Sequence, residues 1–234
     1  MKTNEEKMWL HFLSRFIFFL PLPVLLLFLS IGILLSSSGD SPVELAFMIA
    51  ASKNPIGLRL AGLSLILLWG SVAVFFISLA RLFKNEHPIK STFLGATGIG
   101  FIIPMSAGNV QWTAAMDMAK RYGKATAEQQ ELLKEIQMTV FQIVESRIDT
   151  ANLLWGLGIV LFIIMARKIV PLFIRVLYMI SAAIMLLVSL SHIFGFTFPF
   201  FLIPIFWLAT LVAHVALGIV FHKKNKSVST MNAS

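Results

Sequence analysis

The chain has 234 residues, of which 58% are hydrophobic and 13% are charged, and its net charge is +8. A soluble core of this size cannot bury so much apolar surface, so the composition excludes a soluble globular protein and makes a lipid bilayer the expected partner. The absence of cysteine excludes disulfides, thiolate metal sites and cysteine nucleophiles.

Six apolar segments along the chain are each close to the roughly 20 residues that a spanning helix needs. They predict transmembrane helices near residues 16–35, 56–83, 92–116, 127–166, 170–195 and 199–222. Strands of a membrane barrel would be about 10 residues long with alternating polarity, so segments of this length exclude a barrel. We therefore expect an all-α transmembrane helix bundle over 1–222 and a disordered cytoplasmic tail over 223–234.

The first apolar segment follows a basic start, as the core of a cleaved signal peptide would. Its apolar run of 20 residues exceeds the roughly 7–15 of such a core, which favours a spanning helix. After it, Ser41-Pro42-Val43-Glu44 has capping-box spacing with proline at the first helical position, and Asn54-Pro55 closes the segment. We expect a short external helix over 42–52 that serves as an interfacial or lid-like element, and the alternative is a helix that simply packs against the top of the bundle.

The third and fourth segments flank the one sizeable aqueous stretch, residues 116–148. Pro104 predicts a kink within the third span. Thr126-Ala127-Glu128-Gln129 again has capping-box spacing, and no proline or glycine follows before Trp155. The fourth helix is therefore expected to begin near Ala127 and to project out of the membrane.

The second and fourth segments resemble each other. Nine residues separate Leu67-Leu68-Trp69-Gly70 from Ala80-Arg81, and nine separate Leu153-Leu154-Trp155-Gly156 from Ala166-Arg167. This pattern predicts a parallel duplication, and the alternative is a chance likeness between apolar helices. In the duplicated register Arg59 corresponds to Glu145, which predicts a salt bridge between them if the two helices are neighbours.

Basic residues are sorted by loop. The presumed inner side holds 12 of the 19 basic residues and only Glu5, Glu6 and Glu86, for a net charge of +9. The opposite side holds seven basic and eight acidic residues, for a net charge of −1. Because cytoplasmic loops collect Lys and Arg, this pattern predicts a multi-pass cell-membrane protein with both termini in the cytoplasm. It also explains the positive charge without a nucleic-acid partner.

Polar side chains gather near the outer end of the predicted spans. On the fourth helix, spacings of three and four place Gln142, Glu145, Asp149 and Asn152 on one face. Polar groups at membrane depth usually face the bundle interior or a cavity, which predicts an outward-facing pocket. The alternative is that Glu145 and Asp149 are simply solvated where the helix emerges. The candidate ligand-binding residues are Glu145, Asp149, Asn152, Asn109, Gln111, His192 and Arg59.

Other chemistry receives less support. Walker, HExxH and GxSxG motifs are absent, and we expect no cofactor and no metal. A metal site of His192, Glu145 and Asp149 is an open alternative that depends on helix packing. His214 lies deep in the sixth helix, where a hydrogen bond to the protein is a commoner role than carrying protons.

The stretch Leu154-Trp155-Gly156, then Ala166 to Pro171, and on through Arg175 to the last helix is similar to a family of uncharacterised bacterial six-helix membrane proteins. The similarity in helix layout covers most of the chain and is specific over residues 150–222. It implies a bacterial cytoplasmic-membrane location and no known activity.

The leading functional hypothesis is a non-enzymatic membrane protein that binds a small molecule, a lipid or a partner through the polar pocket. A small permease is the alternative, because transporters need polar residues along a continuous path. Below Asn152 such residues are few: Ser71, Ser78, Thr97, Ser181, Thr210 and His214. An intramembrane enzyme is the second alternative, with Asp149 and His192 as its acid and base.

Overall fold

The computed structural model describes residues 4–38, 43–199 and 201–230, and the regular structure there is entirely helical. The α-helices in these ranges are α1 (Asn4–Phe16), α2 (Pro21–Ser38), α3 (Val43–Lys53), α4 (Pro55–Phe83), α5 (Pro88–Gly100), α6 (Ile102–Val110), α7 (Met116–Tyr122), α8 (Ala127–Ala166), α9 (Leu172–Phe194) and α10 (Leu202–Thr230). A 3₁₀ turn, Ile17–Phe19, joins α1 to α2, and a π-helical segment, Gln111–Ala115, joins α6 to α7.

Six helical stretches in the described ranges are long and apolar enough to cross a membrane. They are Asn4–Ile33, Pro55–Phe83, Pro88–Tyr122, Ala127–Ala166, Leu172–Phe194 and Leu202–Ser227. The prediction of an all-α protein with six spans is confirmed, and the chain is a multi-pass membrane protein.

Two terminal segments differ from the expectation. The first helix begins at Asn4, and Glu6 on it accepts a hydrogen bond from Asn85 Nδ2 at 2.9 Å. The last helix continues to Thr230, although the sequence predicts disorder from residue 223; residues 231–234 lie outside the described ranges. Lysine is a good helix former, no glycine or proline interrupts 219–230, and Asn225 contacts His11 Nδ1 of α1 at 3.1 Å.

Local sequence signals set several helix ends. The Thr126 N–H donates to Gln129 Oε1 and the Gln129 N–H donates to Thr126 Oγ1, so the predicted capping box before α8 is confirmed. At the end of α9, Gly195 takes the left-handed conformation with φ of 70°, which closes a helix at low steric cost. The other predicted cap includes Ser41 and Pro42, which lie outside the described residues.

The third span is interrupted, as Pro104 predicts. The interruption lies at Phe101, between α5 and α6, because the proline ring clashes with the carbonyl four residues earlier, at Gly100. The π-helical segment then begins seven residues after the proline, and such segments leave the regular i to i−4 ladder. The span therefore consists of shorter helical pieces.

The chain divides into two compact units. Unit 1 comprises residues 1–21, 71–101 and 149–234, and unit 2 comprises residues 22–70 and 102–148. In unit 1, α1 and α9 both pack against α10. The largest fully buried side chains of this unit include Phe75, Phe76, Phe162 and Tyr178, so its core is rich in aromatic rings.

Unit 2 contains the short helix α3, which packs against α7. Met48 and Ala51 of α3 share a buried cluster with Met116 and Ala119, and Leu58 of α4 joins it. Met48, Ala50 and Ala51 of α3 thus pack against protein, which explains how a helix too short to span keeps these apolar side chains.

Close contact within unit 2 yields a test of its packing. A Cβ atom at Gly108 of α6 would lie 2.6 Å from the Gly62 carbonyl oxygen of α4, a backbone atom that cannot rotate away. We expect Gly108→Ala to lower the free energy of unfolding by about 1–3 kcal/mol. Gly32→Ala on α2, where nothing lies within 4 Å, is the control and should be neutral or slightly stabilising. Detergent unfolding curves measure both, and equal effects would contradict this packing.

Candidate functional site

The predicted site residues belong to both units. Asp149, Asn152 and His192 are in unit 1, and the others are in unit 2: Arg59, Asn109, Gln111 and Glu145. Unit 1 brings its three together on two helices, α8 and α9.

Asp149 of α8 and His192 of α9 are within hydrogen-bond distance, with 2.7 Å between Oδ2 and Nδ1. Ser189, one turn before His192, donates its hydroxyl to the Asp149 backbone carbonyl at 3.0 Å. The pair lies partly on the surface of the protein, because 43% of the His192 side chain and 21% of the Asp149 side chain are exposed. Side chains three residues apart share a helix face, which is why Ser189 and His192 both meet Asp149.

Asn152 lies one turn deeper than Asp149 on α8 and is buried. The hydrogen bonds of the described residues do not connect Asn152 to the Asp149–His192 pair.

The structure describes the side chains of three of the four residues in unit 2. Arg59, Asn109 and Glu145 are all exposed, and the ion pairs of the described residues do not include Arg59 with Glu145. The predicted salt bridge is therefore wrong. The prediction for Gln111 concerns a side chain outside the described part, although its backbone begins the π-helical segment.

A second group of polar residues lies in unit 1, and we call Trp155, Ser181, Thr210 and His214 the central polar cluster. The Trp155 indole N–H of α8 donates to Ser181 Oγ of α9 at 2.9 Å, and Ser181 Oγ is 2.8 Å from Thr210 Oγ1 of α10. His214 Nδ1 is 2.8 Å from the Thr210 carbonyl oxygen. All four residues are buried, so their hydrogen bonds join three spans where water is scarce.

Aromatic rings enclose the His214 imidazole. Its ring stacks on Trp155 at 5.7 Å with an interplanar angle of 14°, and the rings of Phe75 and Tyr178 each lie 5.4 Å away. The Thr210 carbonyl can only accept, so His214 Nδ1 carries the hydrogen and the neutral ring has its lone pair on Nε2.

The sequence does not show that Ser181, Thr210 and His214 are in contact, and it presents them as isolated polar residues. The spacing along each helix gives part of the answer. Thr210 and His214 are four residues apart, and Ser181 is 11 residues, about three turns, from His192. These spacings place each set on one helix face. They do not reveal that α8, α9 and α10 are neighbours.

The described ranges contain no group of three His, Asp or Glu side chains that could hold a metal ion. The alternative metal site of His192, Glu145 and Asp149 therefore has no support there. The polar residues of unit 1 interact through hydrogen bonds and through the contact between Asp149 and His192.

No protein-family model, curated protein or solved structure matches the chain.

The central polar cluster predicts unequal costs for two buried serines. Ser181→Ala leaves the buried Trp155 N–H without its acceptor and should lower the free energy of unfolding by about 1–3 kcal/mol. Ser64 is equally buried but donates only to the Leu60 carbonyl of its own helix, so Ser64→Ala should cost less than about 1 kcal/mol. Unfolding of the two variants in detergent makes the comparison, and a larger loss for Ser64→Ala would refute it.

Proposed function

We propose that this protein binds a small polar molecule or a lipid headgroup at the Asp149–His192 pair and performs no reaction of its own. The observation that carries the proposal is an oriented acid and imidazole, 2.7 Å apart on two helices, with a substantial part of both side chains exposed. Ionisable residues near a span are costly to retain, and their retention favours a functional role.

The pair favours ligands that donate hydrogen bonds. Asp149 uses Oδ2 for His192, and its Oδ1 has no hydrogen-bond partner within the described residues. A carboxylate oxygen only accepts, so an ammonium or hydroxyl group fits it best. His192 holds the Asp149 carboxylate and Ser189 holds the backbone carbonyl of the same residue, which reduces the ordering that a ligand must impose.

A small permease is the second candidate, and one observation favours it. The few polar residues below Asn152 include Ser181, Thr210 and His214, and these lie together in the central polar cluster. An intramembrane enzyme has weaker support, because Ser189 donates to a backbone carbonyl and does not contact His192 as a nucleophile would.

We further propose a cell-membrane location with both termini in the cytoplasm, supported by the net charge of +9 on one side. Membership of the uncharacterised bacterial six-helix family is part of this proposal and is supported by the residues of 150–222.

Loss of the Asp149 charge should release the ligand. We expect a molecule that co-purifies with the wild type to be missing from Asp149→Asn and retained by Glu145→Gln, a charge-matched control one turn away on α8. Mass spectrometry of extracts from the three purified proteins compares them. Identical sets of bound molecules in all three would remove the binding proposal.

Orientation is tested with single cysteines, for which the natural chain is a cysteine-free background. A membrane-impermeant maleimide should label Lys124→Cys, between α7 and α8, in intact cells. It should label Lys84→Cys, between α4 and α5, only after the cells are opened. Both lysines are exposed, and the reverse pattern would invert the proposed topology.

A further inference from the structure

Tyr178 of α9 has a hydroxyl that the hydrogen bonds of unit 1 do not explain. The side chain is fully buried, and its Oη has no hydrogen-bond partner within the described part of the chain. More than about nine in ten buried polar groups in proteins are paired, so an unpaired hydroxyl at this depth calls for a partner.

His214 presents the complementary group. Its Nδ1–H is used by the Thr210 carbonyl, and the described residues provide no hydrogen bond to Nε2. The Tyr178 and His214 rings meet edge to face with centroids 5.4 Å apart. A donor and an acceptor, both without partners, thus stand on two side chains in contact.

The neighbouring hydroxyls bond to Trp155 and to each other. Ser181 Oγ accepts from Trp155, and one hydrogen bond joins Ser181 to Thr210, whichever of the two donates. The hydrogen bonds of the described residues join neither of these hydroxyls to Tyr178 Oη or to His214 Nε2.

We propose that Tyr178 and His214 together bind one neutral hydroxyl group, which is either a water molecule or the alcohol group of a lipid-soluble compound. The bound oxygen accepts from the Tyr178 O–H and donates to His214 Nε2. A carbonyl oxygen cannot donate and does not complete this bridge. The aromatic rings of Phe75, Phe162 and Trp155, which lie against Tyr178 or His214, favour a neutral occupant.

This site is separate from the Asp149–His192 pair and does not depend on the proposed function. It lies within the spans Leu172–Phe194 and Leu202–Ser227, and its groups come from α9 and α10. The spans would thus hold a hydroxyl-binding site whether or not the pair binds a ligand.

The sign of one stability change tests the proposal. If the Tyr178 hydroxyl is unpaired, Tyr178→Phe removes a buried polar group without a partner and raises the thermal midpoint. If it binds a hydroxyl, the variant loses that bond and the midpoint falls by about 2–4 °C. Tyr122→Phe in unit 2, at the only other tyrosine, controls for the substitution itself. An unchanged or raised midpoint for Tyr178→Phe overturns the proposal.

A double-mutant cycle shows whether the two side chains share the occupant. His214→Phe keeps an aromatic ring, and in that background Tyr178→Phe should no longer lower the midpoint. Independent, additive losses would contradict a shared group.

Repeated detergent exchange identifies the source of the hydroxyl. A lipid-soluble alcohol would be removed, so the wild-type midpoint would fall toward that of Tyr178→Phe while the variant stays unchanged. A bound water would leave both midpoints where they were.

Discussion

Polar side chains inside a membrane have no water with which to form hydrogen bonds, so they must bond to other protein groups. The clearest example in this protein is the series of hydrogen bonds from Trp155 through Ser181 to Thr210. Its two hydrogen bonds connect α8, α9 and α10 in the middle of unit 1. The neighbourhood of these helices also brings Asp149 to His192 and His214 to Tyr178. Both sites considered above therefore depend on the same three-helix contact.

Features with a local cause are predicted well from the sequence. The six spans follow from apolar length, the start of α8 from the Thr126–Gln129 capping box, and the break at Phe101 from Pro104. Each needs only residues that are close along the chain. The duplication of α4 and α8 also rests on such a pattern, and it stays a prediction.

Features that require helix neighbours are predicted only in part. The polar faces of single helices pointed to Asp149 and His192, which do meet, but the Arg59–Glu145 salt bridge assumed a pairing of helices and is wrong. The central polar cluster is not predicted, because the sequence does not reveal which helices are neighbours. The helical end of α10 also makes a distant contact, between Asn225 and His11, which the sequence does not predict.

The central functional claim is that the Asp149–His192 pair is open to water and to ligands. Reaction of single cysteines with a membrane-impermeant maleimide measures this most directly, using Asp149→Cys and Leu157→Cys on the same helix. Leu157 is 54% exposed on a spanning helix and serves as the lipid-facing control. We expect much faster labelling at position 149 than at position 157. Labelling at 149 that is no faster than at 157 would contradict it.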